Sequence, residues 1–421
     1  MKVTYLKIEN FRGIQSLELQ PGEQVNVFAG INGAGKSSVL DAIRILLSWM
    51  VARLHSSKGR GVNLLENDIY KGAGHCFLKI TLDNAISWQL YKQSNTNRSK
   101  SDMKTDLGEL MSYVNEKITE YGESPKTTDF TLIDAYTVNR IVTQTPSRIR
   151  KKHMLGALDA MNVKMENSTN FHSFFLWFRE REDIENEKFR FDGYLQPDKQ
   201  LDAIRQAMHS VFPEYGNLRV KRGPMDFIIN KGHDTFCFSQ LSDGEKVYIA
   251  LIADISRKLA MTHPTESNPL ITDGIIIIDE IDLHLHPSWQ NEVLSKLKST
   301  FPGCQFFLST HSPYVISDMQ NTLRDKLISM NGGKGIVNNN NFYGQQTNDI
   351  LYEVFGMDTL RNKEVQKYID HIWEILKGTN EYDSERLNQN VEWLKQNIDA
   401  SDPEFIKIAL QRKQNEIQEK Q

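Results

Sequence analysis

Short stretches of this chain carry residues whose types and spacing could do chemistry. Gly30-Ile31-Asn32-Gly33-Ala34-Gly35-Lys36-Ser37 fits the phosphate-loop pattern G-x-x-x-x-G-K-[ST] at every fixed position. In such a loop backbone N–H groups face a triphosphate, Lys36 reaches its β- and γ-phosphates, and the Ser37 hydroxyl ligates Mg²⁺. Ile275-Ile276-Ile277-Ile278-Asp279-Glu280 ends an apolar run in two carboxylates, 243 residues after Lys36 when counted to Asp279. Asp279 suits a hydrated cation, and Glu280 suits a base that takes a proton from attacking water. Leu241-Ser242-Asp243-Gly244-Glu245-Lys246 offers small residues at a helix start, a second place for an anion. Phe306-Phe307-Leu308-Ser309-Thr310-His311-Ser312-Pro313 ends in a histidine able to contact a γ-phosphate, against the ordinary reading of a satisfied core histidine.

These residues need elements to hold them. Gln24–Ala29 is rich in strand formers, and Val39, Leu40, Ile43, Leu46, Leu47 and Met50 recur at helical spacing from near Lys36. That predicts strand, glycine turn and helix, with the helix's positive end at the phosphates. The isoleucine run predicts a buried central strand of a parallel sheet, whose C-terminal end is where α/β folds bind ligands. Val247, Ala250, Leu251 and Ile255 predict a helix after the Ser-Asp-Gly-Glu turn. Val3–Ile8 and Ser16–Leu19 read as strands around Asn10-Phe11-Arg12-Gly13, a turn that either folds over a nucleotide, with Arg12 near phosphate or adenine, or is plain surface.

Elsewhere the pattern is coarser. Phe77–Leu82 and Ile86–Tyr91 read as a strand pair, Leu107–Ile118 as a helix and Thr131–Tyr136 as a strand. Residues 145–210 read as a mostly helical insertion with Arg148, Arg150, Lys151 and Lys152, which fit either a phosphate backbone or a solvated face. The insertion's Phe171, Phe174, Phe175, Trp177 and Phe178 suit core or a partner interface more than base stacking. Asn217–Lys221, Asp226–Ile229 and Thr235–Phe238 read as short strands; after Asn340 the pattern is mostly helical. The domain order expected is 1–144 and 211–340 as the two parts of one α/β head, 145–210 inserted, and 341–421 as a C-terminal helical region, either a small appendage or an oligomerisation element.

Composition narrows the class. The 421 residues hold 50 Lys plus Arg against 54 Asp plus Glu, a net charge of −4 that gives no general case for sequence-independent nucleic-acid binding. Cys76, Cys237 and Cys304 lie far apart, without metal-site spacing, as in a reducing cytoplasm. No signal peptide and no 18-residue apolar run is read, so a cytoplasmic protein without a membrane span is expected.

In order and content these motifs resemble the ATP-binding-cassette-type (ABC-type) ATPase heads of the SMC, Rad50 and RecF group, over about residues 1–330. The fold class implied is α/β: an ABC-type P-loop ATPase head with a mostly helical insertion and a C-terminal helical appendage. The resemblance makes Gly30–Ser37 a Walker A motif, Leu241–Lys246 a signature motif, Ile275–Glu280 a Walker B motif with its catalytic glutamate, and His311 a switch histidine. It assigns nucleotide contacts to Asn10, Phe11, Arg12, Gly30, Asn32, Gly33, Ala34, Gly35, Lys36, Ser37 and Ser38. Across a dimer it adds Ser242, Gly244, Glu245 and the D-loop residue Asp282, with Gln144 as a Q-loop residue. Ser37 and Asp279 are the implied Mg²⁺ ligands; Glu280, Lys36 and His311 the implied catalytic residues; ATP and Mg²⁺ the implied cofactors.

The runs Glu280-Ile281-Asp282-Leu283-His284-Leu285-His286-Pro287 and Leu351-Tyr352-Glu353-Val354-Phe355-Gly356-Met357-Asp358, with Tyr136 and Arg140, narrow the resemblance. They are similar to the ATPases of bacterial anti-phage systems, above all the PtuA-type ATPases of Septu and retron systems. This implies a head-to-head dimer, higher assembly and an HNH-type nuclease partner resembling PtuB. It also implies contact with a retron reverse transcriptase and its RNA or DNA. A DNA-binding repair ATPase of the RecF or Rad50 kind, and a slow-turnover scaffold restraining an effector, are the alternatives. A self-contained ATPase-nuclease is disfavoured, because no glycine-flanked Glu with a later Asp-x-Asp strand follows Pro313. Two departures stand out: Asp243 replaces the usual glycine, and Leu241 follows Lys36 by only 205 residues, too few for long coiled coils.

Overall fold

The computed structural model describes residues 1–96, 103–138, 156–165, 171–192, 197–223, 225–320, 322–377 and 383–418. Its described part divides into two compact units, Met1–Ile350 and Leu351–Gln421.

The first unit is organised by sheets. Strand β1 (Val3–Phe11) pairs antiparallel with β2 (Ile14–Leu19). After β3 (Val25–Ala29) and helix α1 (Lys36–His55), β1 also pairs with β4 (His75–Leu82), which pairs with β5 (Ser87–Gln93). Helix α2 (Gly108–Glu123) and strand β6 (Leu132–Tyr136) follow, then α3 (Phe171–Asp192) and α4 (Lys199–Val211). Strands β7 (Tyr215–Arg222), β8 (Met225–Lys231) and β9 (Asp234–Cys237) form a separate antiparallel sheet before α5 (Asp243–Thr262). Beyond lie β10 (Gly274–Ile278), α6 (Pro287–Gln290), α7 (Val293–Thr300), β11 (Cys304–Thr310), α8 (Pro313–Ser317), and the hairpin β12 (Asp325–Asn331) and β13 (Lys334–Asn338).

The central sheet runs β13-β12-β3-β11-β10-β6 among the described residues. From β12 to β6 every pair is parallel, and only β13 returns antiparallel. Every residue of β3, β6, β10 and β11 is buried, which the isoleucine run of β10 announces: a parallel sheet is covered on both faces. On α1, Val39, Leu40, Ile43, Leu46, Leu47 and Met50 are all buried. Each such aliphatic side chain contributes about 1.5–3 kcal/mol on leaving water, so the helix start is held firmly against the sheet. The β12–β13 hairpin was not anticipated; its Gly332-Gly333 turn and short strands give a weak local signal.

A buried ionic network fastens α5 to β6. Lys258 Nζ reaches Asp134 Oδ2 at 2.5 Å and Asp254 Oδ2 at 2.7 Å, and Arg257 pairs with Asp254 at 2.7 Å. The Tyr136 hydroxyl donates to Asp254 Oδ2 at 3.0 Å. Phe174, Phe175, Trp177 and Phe178 of α3 are core, while the Phe171 side chain lies outside the described residues. Phe175 and Phe178 lie 4.9 and 5.2 Å from the ring of Phe227 on β8, both edge-on. Both rings are fully buried, which leaves Phe175 and Phe178 no face for a base. The basic residues Arg148, Arg150, Lys151 and Lys152 lie outside the described residues.

Helix α9 (Thr347–Glu353) spans the division between units. The second unit holds α10 (Lys363–Leu376), α11 (Ser384–Asn397) and α12 (Pro403–Gln418) around Ile369, Ile372, Ile375, Leu387, Leu394 and Ile408. Tyr368 stacks on Trp393 at 3.8 Å, and Arg361 grips Asp402 through two hydrogen bonds of 2.7 and 2.9 Å.

Candidate nucleotide site

The order β3-β11-β10 decides the site. Thr310 of β11 pairs with Ala29 of β3, and Leu308 with Ile278 of β10, so three consecutive C-terminal ends stand side by side. The phosphate loop leaves β3, the histidine leaves β11 and the carboxylates leave β10. Residues separated by hundreds of positions thereby meet at the carboxyl end of the sheet.

The loop's backbone explains its glycines. Gly30, Gly33 and Gly35 have φ of 153°, 77° and 103°, conformations that side chains rarely adopt. A Cβ on Gly30 would also sit 2.3 Å from the Met330 carbonyl of β12. Helix α1 then starts at Gly35 with no side-chain cap and no acid in its first turn, leaving its N–H groups for an anion. Asn32 and Gly33 are exposed, Ala34 is buried, and Ser38 is partly buried in the helix's first turn. The Ala34 carbonyl accepts from Gly333 N at 3.1 Å, so the β12–β13 turn braces the loop.

Lys36 is only 4% exposed. Its ammonium donates to the carbonyls of Gly30 (2.8 Å) and Ile31 (3.0 Å) and lies 3.3 Å from His311 Nδ1. Burial lowers its pKa, and Asp279, Glu280 and Asp282 oppose that shift. Burial, and then the Lys36 charge, likewise hold the His311 imidazole below its ordinary pKa, so Nδ1 is able to accept from Lys36. His311 Nε2 lies 4.0 Å from Glu280 Oε1.

The carboxylates are placed by hydroxyls. The Ser37 hydroxyl donates to Asp279 Oδ1 at 3.1 Å. Ser309 donates to the same oxygen and accepts the Glu280 N–H at 2.7 Å. Glu280 takes a left-handed φ of 49°, a strained conformation for a non-glycine residue that persists where the surroundings fix it. Asp282 Oδ1 accepts from the Thr310 hydroxyl at 2.6 Å. Ser309 and Thr310 escaped the sequence reading of roles; two hydroxyls closing an otherwise apolar strand were the available signal.

Ser37 and Asp279 offer hard oxygens at adjacent positions, which fits Mg²⁺, an ion that keeps waters and phosphate oxygens in its shell. Among the described residues no group of three or more His, Cys, Asp or Glu converges as a protein-only metal cage.

The remaining expected residues that the structure describes have protein partners in this subunit. Phe11 is fully buried, and Arg12 pairs with Asp41 of α1 (2.5 Å) and with Asp68 (2.9 Å). Arg12 thus ties the β1–β2 turn to α1, while Asn10 and Arg12 hold φ of 52° and 50°. Ser242 caps α5 in a capping box with Glu245, and a Cβ on Gly244 would meet the His284 carbonyl at 2.3 Å. That close approach explains the retained glycine and seats α5 on the segment after Asp282. Gln144, Asn139 and Arg140 lie outside the described residues.

Residues 5–215 match a family model described as an AAA domain, and residues 143–317 match one described as "AAA domain, putative AbiEii toxin, Type IV TA system". A probable ATPase of retron Ec83 from Escherichia coli is 30% identical over 75% of this chain and 69% of its own length. The chain belongs to the AAA-type ATPase family of the retron and Septu anti-phage systems. The Septu protein PtuA of Bacillus thuringiensis is 24% identical over 91% of this chain and 90% of its own. The SMC head domain from Thermotoga maritima matches 80% of the ATPase with a TM-score of 0.44 and 15% identity. Among the described residues, no helix of the ATPase is long and apolar enough to cross a membrane.

Proposed function

We propose that this ATPase closes head to head with a second copy over two composite ATP sites, and that the closed state governs an HNH-type nuclease partner in the cytoplasm. What supports the reading is the convergence of Lys36, Ser37, Asp279, Glu280 and His311 at the carboxyl end of the central sheet. Lys36 exchanges the Gly30 and Ile31 carbonyls for phosphate oxygens, and the loop N–H groups hold the β-phosphate. Asp279 and Ser37 hold Mg²⁺, which when bound neutralises charge developing on the phosphates. Glu280 orients water and takes its proton; neutral His311 contacts the γ-phosphate. Ser242 and Gly244 receive that phosphate from the opposite subunit, with Asp282 at the shared seam.

Hydrolysis then releases the closure, and the partner reads the change. The relatives include a retron ATPase and a Septu protein; the resemblance to PtuA-type ATPases is what implies a nuclease partner, with a reverse transcriptase and its nucleic acid in the retron case. DNA contact by the head itself is the competing output.

Glu280→Gln tests the core of this reading. It keeps shape but removes the base, so phosphate release should fall by ~10²–10⁴-fold while ATP affinity stays parental and the ATP-closed dimer accumulates. Parental turnover would refute the base. Slow turnover with an ATP-independent particle mass would refute the closure.

A further inference from the structure

The start of α5 carries a charge problem. Asp243 and Glu245 both lie in its first turn. Acids there stabilise the helix, but they consume the positive field that an incoming phosphate would use. The two carboxylates are handled differently. Asp243 is 94% exposed at its side chain, with Lys246 Nζ 3.5 Å away. Glu245 is turned inward and fully engaged. Its Oε2 accepts from Ser242 N and Ser242 Oγ, both at 2.8 Å. Its Oε1 accepts from Lys231 Nζ at 2.7 Å and from the Tyr215 hydroxyl.

This clamp comes from outside α5. Tyr215 opens β7 and is 1% exposed, and Lys231 ends β8 with its ammonium 5.0 Å above the Tyr215 ring. Although burial opposes ionisation, the hydrogen bonds from Lys231, Tyr215 and Ser242 hold the Glu245 carboxyl down at about 2. The carboxylate therefore stays charged at any working pH and needs a permanent counter-charge.

We infer that Lys231 and Tyr215 are positioning residues for the composite site: both hold Glu245 against the β7–β9 sheet, and Lys231 cancels its charge, where Ser242 and Gly244 meet the opposite subunit's γ-phosphate. The inference rests on the composite-site reading above. It makes the small sheet before α5 part of the ATPase machinery. A shift of β8 would uncover a negative charge at the seam and oppose closure.

A double-mutant cycle tests it. ATP hydrolysis and ATP-driven particle mass are measured for the parent, Lys231→Met, Glu245→Gln and the double variant, with Ser242→Arg in parallel. Gln supports the same capping box without the charge. Lys231→Met should lower turnover about tenfold in the parent, the loss of one charge-assisted hydrogen bond, and by less than about twofold in the Glu245→Gln background. ATP affinity of the single subunit should remain parental in all of them. Equal losses in both backgrounds, or none in either, would overturn the inference. Tyr215→Phe, which keeps the ring and drops one donor, repeats the test should Lys231→Met not fold. If Ser242→Arg leaves hydrolysis and mass unchanged, the composite-site reading itself fails. If Ser242→Arg abolishes both while the cycle shows no coupling, only the charge clamp fails.

Discussion

The starts of α1 and α5 solve the same physical problem in opposite ways. Helix α1 begins after a left-handed Gly35 with no side-chain cap and no acid in its first turn, so its N–H groups stay available. Helix α5 begins at Ser242 in a closed capping box, with Asp243 and Glu245 in the first turn. An uncapped start is costly alone and is suited to permanent possession of a triphosphate. A capped start is stable alone and suited to a phosphate that arrives only on closure. Under the proposed function, binding belongs to α1 and turnover needs both.

Breaking α1 should have the largest effect. Lys36→Ala removes the buried ammonium that faces the phosphates, and nucleotide affinity measured calorimetrically should fall by roughly 100-fold or more, the loss of about two charge-assisted hydrogen bonds. An affinity equal to the parent's would remove the phosphate-loop assignment.

Breaking α5 should spare affinity and stop turnover. Ser242→Arg places bulk and charge at the seam, so phosphate release should fall about 100-fold with the closed dimer lost, while ATP affinity changes less than about threefold. If affinity collapses as well, the two helix starts are not separable.

Ser309→Ala sharpens the α1 side. It removes one of the two hydroxyls that donate to Asp279 Oδ1, and the hydroxyl oxygen that accepts the Glu280 N–H. One lost hydrogen bond to a charged group predicts a roughly tenfold lower kcat with KM little changed. A change confined to KM would place Ser309 in binding instead.

The smallest effect concerns stability at α5. The Glu245 carboxyl is depressed in the folded state to about 2, so its ionised form stabilises the fold above the ordinary carboxylate range. That contribution is lost as pH falls from the ordinary value toward about 2. Glu245→Gln should therefore lower Tm by a few degrees at neutral pH, with the gap narrowing as pH falls. A gap that stays constant with pH would mean the carboxylate charge carries none of the difference.

Local pattern reaches far in this molecule. The glycine spacing around Lys36, the isoleucine run before Asp279 and the small residues before α5 each name a backbone conformation and a side-chain chemistry within a few residues, so they are legible without a fold. Strands and helices around them follow from periodicity, because one buried face repeats at two residues or at about three and a half. The β12–β13 hairpin was missed because its strands are short and its glycine turn is generic.

What only tertiary structure decided is which distant groups meet. Nothing in the sequence sets β11 between β3 and β10, yet that order puts Ser309 on Asp279 and His311 beside Lys36. Nor does pattern reveal that Arg12 spends its charge on Asp41 and Asp68, or that Lys231 and Tyr215 hold Glu245. The reason is physical. Periodicity records whether a side chain faces core or solvent, whereas an ion pair depends on strand order and register, which are fixed by the packing of the whole sheet.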